Sequence, residues 1–161
     1  MSNDPHSALR DHLVELLQVG HAHMTLKQGL AELPAAMRGT KPPGQPFTPW
    51  RLLEHIRISQ WDILEFTKRA DHVSPKWPDE YWPESDAPPN ARAWDASVDQ
   101  ILKDLEGMAQ LVADPKTDLF QKIPHGTGQT ILREALVLAD HNSYHLGQLV
   151  LVRRLLGIWK P

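Results

Sequence analysis

Histidine is the residue type with which this chain could do chemistry, since its 161 residues include nine histidines and no cysteine. The lack of thiols excludes cysteine nucleophiles, zinc knuckles and iron–sulfur clusters. His141 and His145 form an H-x-x-x-H pair, and residues four apart on a helix place their Cβ atoms about 5–6 Å from each other. Two imidazoles so placed can bind one ion at about 2.0–2.1 Å. A third ligand must come from another element, and His55 is the candidate.

The H-x-x-x-H pair is weak evidence when it is taken alone. Nine histidines in 161 residues give roughly half of such a pair by chance. A solvated pair, or a core histidine with its hydrogen bonds satisfied, is the competing interpretation. The position of each histidine on its helix must therefore decide.

Prolines show where helices can run, because proline in a helix interior costs about 3 kcal/mol. The fourteen prolines crowd a few segments. They leave four long proline-free windows: 6–33, 50–74, 90–114 and 125–160. Apolar residues recur at three- and four-residue steps in each window, and Thr48 with Pro49 predicts the start of the second helix. We therefore predict an all-α fold, a single four-helix bundle over residues 1–161 with long Pro-rich linkers.

The helical rotation of about 100° per residue turns all three histidines towards the bundle interior or its rim. His145 falls within the apolar arc of the fourth helix, and His141 lies about 60° from it. His55 lies about 60° from the apolar arc of the second helix. An inward histidine needs a polar partner, so a shared metal ion is a reasonable prediction.

Four further residues are candidates for the surroundings of the metal. Glu134 and Asp62 lie one heptad from His141 and His55, where each could orient an imidazole. A solvated carboxylate is the alternative for both. Gln148 shares the flank of His141 and is a candidate for a substrate contact or a local hydrogen bond. His23, on the predicted first helix beside His21, is a candidate for lining the pocket.

Three segments carry a resemblance to a known family: residues 49–57 (PWRLLEHIR), 140–148 (DHNSYHLGQ) and 153–159 (RRLLGIW). Through them the chain resembles the DinB/YfiT-like family of damage-inducible four-helix proteins, which are described as metal-dependent hydrolases. The resemblance covers essentially the whole chain. It implies an up-down-down-up bundle, homodimers, and metal ligation by His55, His141 and His145. Similar proteins include S-transferases and isomerases that use bacillithiol or mycothiol, so the resemblance leaves the substrate open.

Three imidazole ligands leave at least one coordination position open, which is typical of a catalytic ion. Such an ion is a Lewis acid towards water or a thiol, so hydrolysis and thiol S-transfer stay open for a small-molecule substrate such as a low-molecular-weight thiol. An H-E-x-x-H protease would need Glu where the chain has Asn142, so catalytic residues beyond the ligands are unassigned. Imidazole suits zinc or nickel, which we expect, and also iron or cobalt.

Two further interpretations stay open. One is a metal-containing binding or stress-response protein without catalysis, and the other is a bundle without metal. The 17 basic and 20 acidic residues give a net charge of −3, which argues against nucleic acid as a partner. No apolar run approaches the about 20 residues of a membrane span, and the N-terminal residues are polar, unlike a signal peptide. We therefore expect a cytoplasmic protein that binds no membrane.

Overall fold

A computed structural model describes residues 5–160 of the chain, which fold into helices. The helices are α1 (Ser7–Gln18), α2 (Leu26–Leu30), α3 (Pro49–Lys68), α4 (Ala93–Ala113) and α5 (Ile131–Leu155). Within residues 5–160 there is no β-strand, only an isolated bridge between Lys122 and Thr130. The all-α prediction is confirmed. None of the helices in this range has the length and apolar character that crossing a membrane requires.

Threonine side chains begin the two helices that carry the histidines. The Thr48 hydroxyl oxygen accepts a hydrogen bond from the backbone N–H of Arg51 at 3.2 Å, and Pro49 opens α3. Thr130 caps α5 in the same way, accepting from the N–H of Arg133 at 3.2 Å. Such a cap satisfies an N–H group that has no partner within the first helical turn. The predicted start of the second helix is confirmed.

The core lies between the long helices α1, α3, α4 and α5. Helix α3 packs against both α4 and α5, and α1 packs against α4. Several large side chains are fully buried in this core: Leu52, Leu53, Ile56, Ile101, Met108, Leu138 and Leu149. Burying one such side chain contributes roughly 1.5–3 kcal/mol. The contact of α3 with α5 brings residues on their facing sides together.

The predicted first helix over residues 6–33 is wrong in length. Helix α1 ends early, and the chain turns at Gly20, whose φ is +65°. A Cβ atom at Gly20 would lie 2.8 Å from the carbonyl oxygen of His23. A new helix, α2, then starts from a capping box at Thr25. His21 and His23 therefore lie in a turn, because a left-handed glycine and a second cap outweigh the continuous apolar spacing.

The linker between α3 and α4 folds back onto α3. It includes the segment 75–89, which is rich in proline and aromatic residues. The Thr48 hydroxyl donates a hydrogen bond to the backbone carbonyl of Asp86 at 2.7 Å. The Tyr81 hydroxyl donates to the carboxylate of Asp62 at 2.6 Å. The segment is thus bound to the N-cap of α3 and to Asp62 within the helix, and it also contacts His55.

Candidate metal centre

Three histidine side chains converge between α3 and α5. The Nε2 atom of His55 lies 3.1 Å from Nε2 of His145 and 3.1 Å from Nε2 of His141. His55 and His145 are 2% and 7% exposed, and His141 is half-buried. Each ring offers one nitrogen, and these three nitrogens lie within 4.8 Å of one another. Two helices thus bring together the three residues that the spacing and the resemblance indicated.

Hydrogen bonds to the outer nitrogens fix two of the three rings. Nδ1 of His55 lies 2.8 Å from the backbone carbonyl oxygen of Tyr81, and Nδ1 of His145 lies 2.7 Å from the amide oxygen of Gln148. A carbonyl oxygen only accepts hydrogen bonds, so both Nδ1 atoms carry the proton. In a neutral ring the Nε2 atom then holds a lone pair, and both lone pairs point into the cluster.

The donor set fits a divalent metal ion. Lone pairs on His55 and His145 at an Nε2–Nε2 distance of 3.1 Å repel each other unless a cation lies between them. Two Zn–N bonds of about 2.0–2.1 Å in a tetrahedral arrangement place their nitrogens about 3.3 Å apart, close to this distance. The three-histidine cluster could therefore hold a metal ion.

Burial keeps the three imidazoles uncharged at neutral pH. It lowers the pKa of His55 to about 4, although the hydrogen bond to the Tyr81 carbonyl acts in the opposite direction. Burial, together with repulsion from the other two rings, lowers the pKa of His141 to about 3. The pKa of His145 is also lowered by burial. Protons compete with metal ions for the same lone pairs, so uncharged rings are suitable ligands at pH 7.

Aromatic side chains surround the cluster unevenly. The indole of Trp82 stacks on His55 with 3.8 Å between ring centroids and 1° between planes, and Phe47 stacks on Trp82 at 4.3 Å. Tyr144 lies edge-on to His145 at 4.9 Å and is 64% exposed. The cluster is therefore covered at His55 and more accessible near His141 and Tyr144.

Sequence reasoning missed the contacts that the linker makes. Tyr81 and Trp82 both contact His55, although they are far from it in sequence. The aromatic and proline-rich composition of residues 75–89 was the available signal. That composition does not specify which side chain of the bundle the segment contacts.

Gln148 and Asp62 reach the cluster in different ways. Gln148 accepts a hydrogen bond from His145, so the local hydrogen bond is the role that the structure shows for it. The carboxylate of Asp62 accepts from the Tyr81 hydroxyl at 2.6 Å and lies 2.8 Å from Nε2 of His72. Asp62 therefore has no direct hydrogen bond to His55, and Tyr81 connects the two residues.

Glu134 and His23 are engaged away from the three histidines. Glu134 is buried, and its carboxylate pairs with Arg133 at 2.6 Å. One heptad on an α-helix is about 10 Å long, which accounts for its distance from His141. Nδ1 of His23 lies 2.8 Å from the carbonyl oxygen of Met24, and the residue lines a separate cavity of about 20 Å³. Glu134 is thus paired with Arg133 rather than with His141, and His23 lines a cavity whose lining does not include the three histidines.

Asn142 and Gly147 lie beside the ligands in sequence but have other surroundings. The amide of Asn142 donates to Gln60 at 2.7 Å, and Gln60 donates to the carbonyl of Ile101 at 2.6 Å. This chain of bonds joins α5, α3 and α4 through the core. A Cβ atom at Gly147 would have no neighbour within 4 Å among the described residues, so no close helix approach requires a glycine there.

Metal sites in helical proteins are commonly built from side chains on facing helices. The three histidines on α3 and α5 have this arrangement. The sequence model of the DinB superfamily matches residues 18–149, a range that includes all three histidines. The chain belongs to the DinB superfamily. No curated protein and no solved structure matches the chain.

Proposed function

We propose that this protein is a metal-dependent enzyme in which His55, His141 and His145 bind a divalent ion. The observation that supports this most strongly is the convergence of three Nε2 atoms from two helices, since those of His141 and His145 each lie 3.1 Å from that of His55. When bound, the ion supplies Lewis-acid chemistry, which suits hydrolysis or thiol S-transfer. Zinc or nickel fits imidazole ligands best here, and iron or cobalt is also compatible with them.

The groups around the three histidines have distinct roles in this proposal. The Tyr81 carbonyl and the Gln148 amide hold the outer nitrogens of His55 and His145, which keeps their lone pairs directed inwards. Trp82 covers the face of His55 and excludes water there. A small-molecule substrate, such as a low-molecular-weight thiol, approaches on the more exposed side at Tyr144.

We also propose that residues 1–161 form one domain, in which α1, α3, α4 and α5 are the four-helix bundle of the family, and that two copies form a homodimer. The packing of α3 on α4 and α5, and of α1 on α4, supports the bundle. Large apolar side chains of α5 support the dimer, since they are exposed in one copy: Leu136, Leu151 and Leu155.

A second candidate function is that of a metal-containing binding or stress-response protein without catalysis. The observation that favours it is the absence of a carboxylate bonded to the three histidines among the described residues. Asp62 and Glu134 pair with other groups, and Asn142 bonds to Gln60. No general base is thereby placed at the metal.

Elemental analysis of untagged protein tests the metal centre. We expect a bound divalent ion in the wild type and its loss in His55→Ala, His141→Ala and His145→Ala. His21→Ala is the matched control, because the His21 side chain is 68% exposed and lies 3.5 Å from the carboxylate of Glu15. The proposal would be refuted if the wild type contained no metal, or if the three histidine-to-alanine variants retained it.

Activity screens then separate the two candidate functions. Metal-dependent conjugation of low-molecular-weight thiols to electrophiles would indicate an S-transferase, and turnover with water alone would indicate a hydrolase. Either activity should disappear in the three histidine variants and persist in His21→Ala. Tight metal binding without turnover in both screens would favour the non-catalytic protein.

A further inference from the structure

Asp62 is a buried residue of α3 whose carboxylate does not bond to the three histidines. It is 9% exposed, and its two oxygens have separate partners. Oδ2 accepts a hydrogen bond from the Tyr81 hydroxyl at 2.6 Å, and Oδ1 lies 2.8 Å from Nε2 of His72. A buried carboxylate is costly unless it is hydrogen-bonded, so these bonds tie the linker firmly to α3.

Tyr81 joins Asp62 to a metal ligand through its two ends. Its side chain donates to Asp62, while its backbone carbonyl accepts from Nδ1 of His55 at 2.8 Å. Burial and the bond to Asp62 raise the pKa of Tyr81, so the phenol keeps its proton and remains the donor. The next residue, Trp82, stacks on the same imidazole with 1° between the planes. One short stretch of linker thus sets both the hydrogen bond and the plane of His55.

We propose that Asp62 and Tyr81 are positioning residues, which hold His55 in the Nδ1–H tautomer with its Nε2 lone pair directed at the metal. The inference rests on the proposed metal centre. A neutral imidazole carries its proton on either nitrogen, and the Nε2–H tautomer cannot bind an ion through Nε2. Without the bond to Asp62, the Tyr81 carbonyl is less firmly placed and both tautomers become populated.

A purely structural link would behave differently from a positioning link. Removing a structural link lowers the stability of the protein but leaves the affinity of the folded state for metal unchanged. Removing a group that orients a metal-binding histidine typically lowers metal affinity by about 10–100-fold. Metal affinity and the tautomer of His55 therefore discriminate between the two roles, and thermal stability alone does not.

The test compares Tyr81→Phe with Tyr144→Phe, since the chain has only these two tyrosines. Both variants lose a hydroxyl and keep the aromatic ring, but only Tyr81 uses its hydroxyl to bond to Asp62. Zinc and cobalt affinities are measured by competition with a chelator. We expect Tyr81→Phe to bind about tenfold more weakly or worse, with an altered cobalt absorption spectrum. Tyr144→Phe should match the wild type in both.

Two substitutions of Asp62 add a rescue experiment. The amide oxygen of Asp62→Asn can still accept the hydrogen bond from Tyr81, whereas Asp62→Ala offers no acceptor. We expect Asp62→Asn to retain most of the metal affinity and Asp62→Ala to lose as much as Tyr81→Phe. Equal affinities for the Asn and Ala variants would contradict the proposed link.

Long-range ¹H–¹⁵N NMR of the metal-free protein reads the tautomer directly. We expect the Nδ1–H form of His55 in the wild type and a mixture of tautomers in Tyr81→Phe. An unchanged tautomer, or a metal affinity equal to that of Tyr144→Phe, would overturn the inference. Failure of the wild type to bind metal would instead refute the proposed function, while the tautomer spectra would still decide whether Asp62 and Tyr81 orient His55.

Discussion

At the scale of single residues, the hydrogen-bonding capacity of each imidazole decides what the cluster can bind. A neutral ring offers one donor and one acceptor. His55 and His145 direct their donors outwards, to the Tyr81 carbonyl and the Gln148 amide. Their acceptors then face each other inside the cluster. This polarity distinguishes a site for a cation from an ordinary network of core histidines, in which donors and acceptors alternate.

Gln148 should be needed for full metal affinity. We expect Gln148→Ala to weaken zinc binding by about tenfold, because Nδ1 of His145 loses its acceptor at 2.7 Å. Gln148→Glu should bind at least as tightly as the wild type, since a carboxylate is a stronger acceptor. Competition with a chelator measures both. Gln110→Ala is the control, because the Gln110 amide donates to the exposed Glu106 at 2.8 Å. Equal affinities of Gln148→Ala and Gln110→Ala would contradict the prediction.

Asp104 should reduce stability at neutral pH. One carboxylate oxygen accepts from Gln100 at 2.7 Å, and the buried Oδ2 has no hydrogen-bond partner among the described residues. Burial raises the pKa of Asp104 above its ordinary value of 3.8. A raised pKa in the folded state means that ionisation destabilises the fold. This penalty is complete above the folded-state pKa and disappears as the pH falls below the unfolded-state pKa.

Asp104→Asn should therefore raise the free energy of unfolding at pH 7. The gain should shrink as the pH is lowered toward 3.8, where the wild-type carboxyl is protonated. Urea denaturation at a series of pH values measures this. Asp99→Asn, an exposed position on the same helix, should show almost no gain at any pH. A lower stability of Asp104→Asn at pH 7 would show that the charge is compensated.

At the scale of helices, local signals in the sequence predicted the elements that carry the ligands. Thr48 and Pro49 marked the start of α3, and the apolar periodicity placed His145 on the inner side of α5. The first window failed because its apolar spacing continues through the turn at Gly20. The hydrogen bond between Tyr81 and His55 could not be predicted from the sequence, since it depends on how the linker folds back onto a residue 26 positions away. Local propensity contains no information about such a contact.

Thr48 should stabilise the protein more than Thr130, although both cap a ligand-bearing helix. Thr48 is completely buried and also donates to the carbonyl of Asp86. We expect Thr48→Ala to cost roughly 2 kcal/mol, from the lost cap and the lost bond to the linker. Thr130→Ala should cost about 1 kcal/mol, from the cap alone. Urea denaturation measures both losses, and equal losses would mean that the linker contributes nothing to the start of α3.

At the scale of the whole molecule, the cluster connects parts of the chain that are distant in sequence. His55 and His145 are 90 positions apart, and His55 and His141 are 86 apart. An ion bound by all three would join α3 to α5 and, through Tyr81, to the linker. Metal binding and global stability should therefore be coupled.

Metal removal should lower the melting temperature of the wild type. A ligand that binds only the folded chain at 100 times its Kd stabilises it by about 2.7 kcal/mol, and each kcal/mol corresponds to about 2–4 °C in a chain of this size. We expect chelation to lower Tm by roughly 5–10 °C, and added zinc to restore it. The variant with His55→Ala, His141→Ala and His145→Ala together is the control, and its Tm should not respond to chelator or zinc. Because that variant retains every other side chain that could bind a metal ion, an equal response in it would assign the stabilisation to metal bound elsewhere.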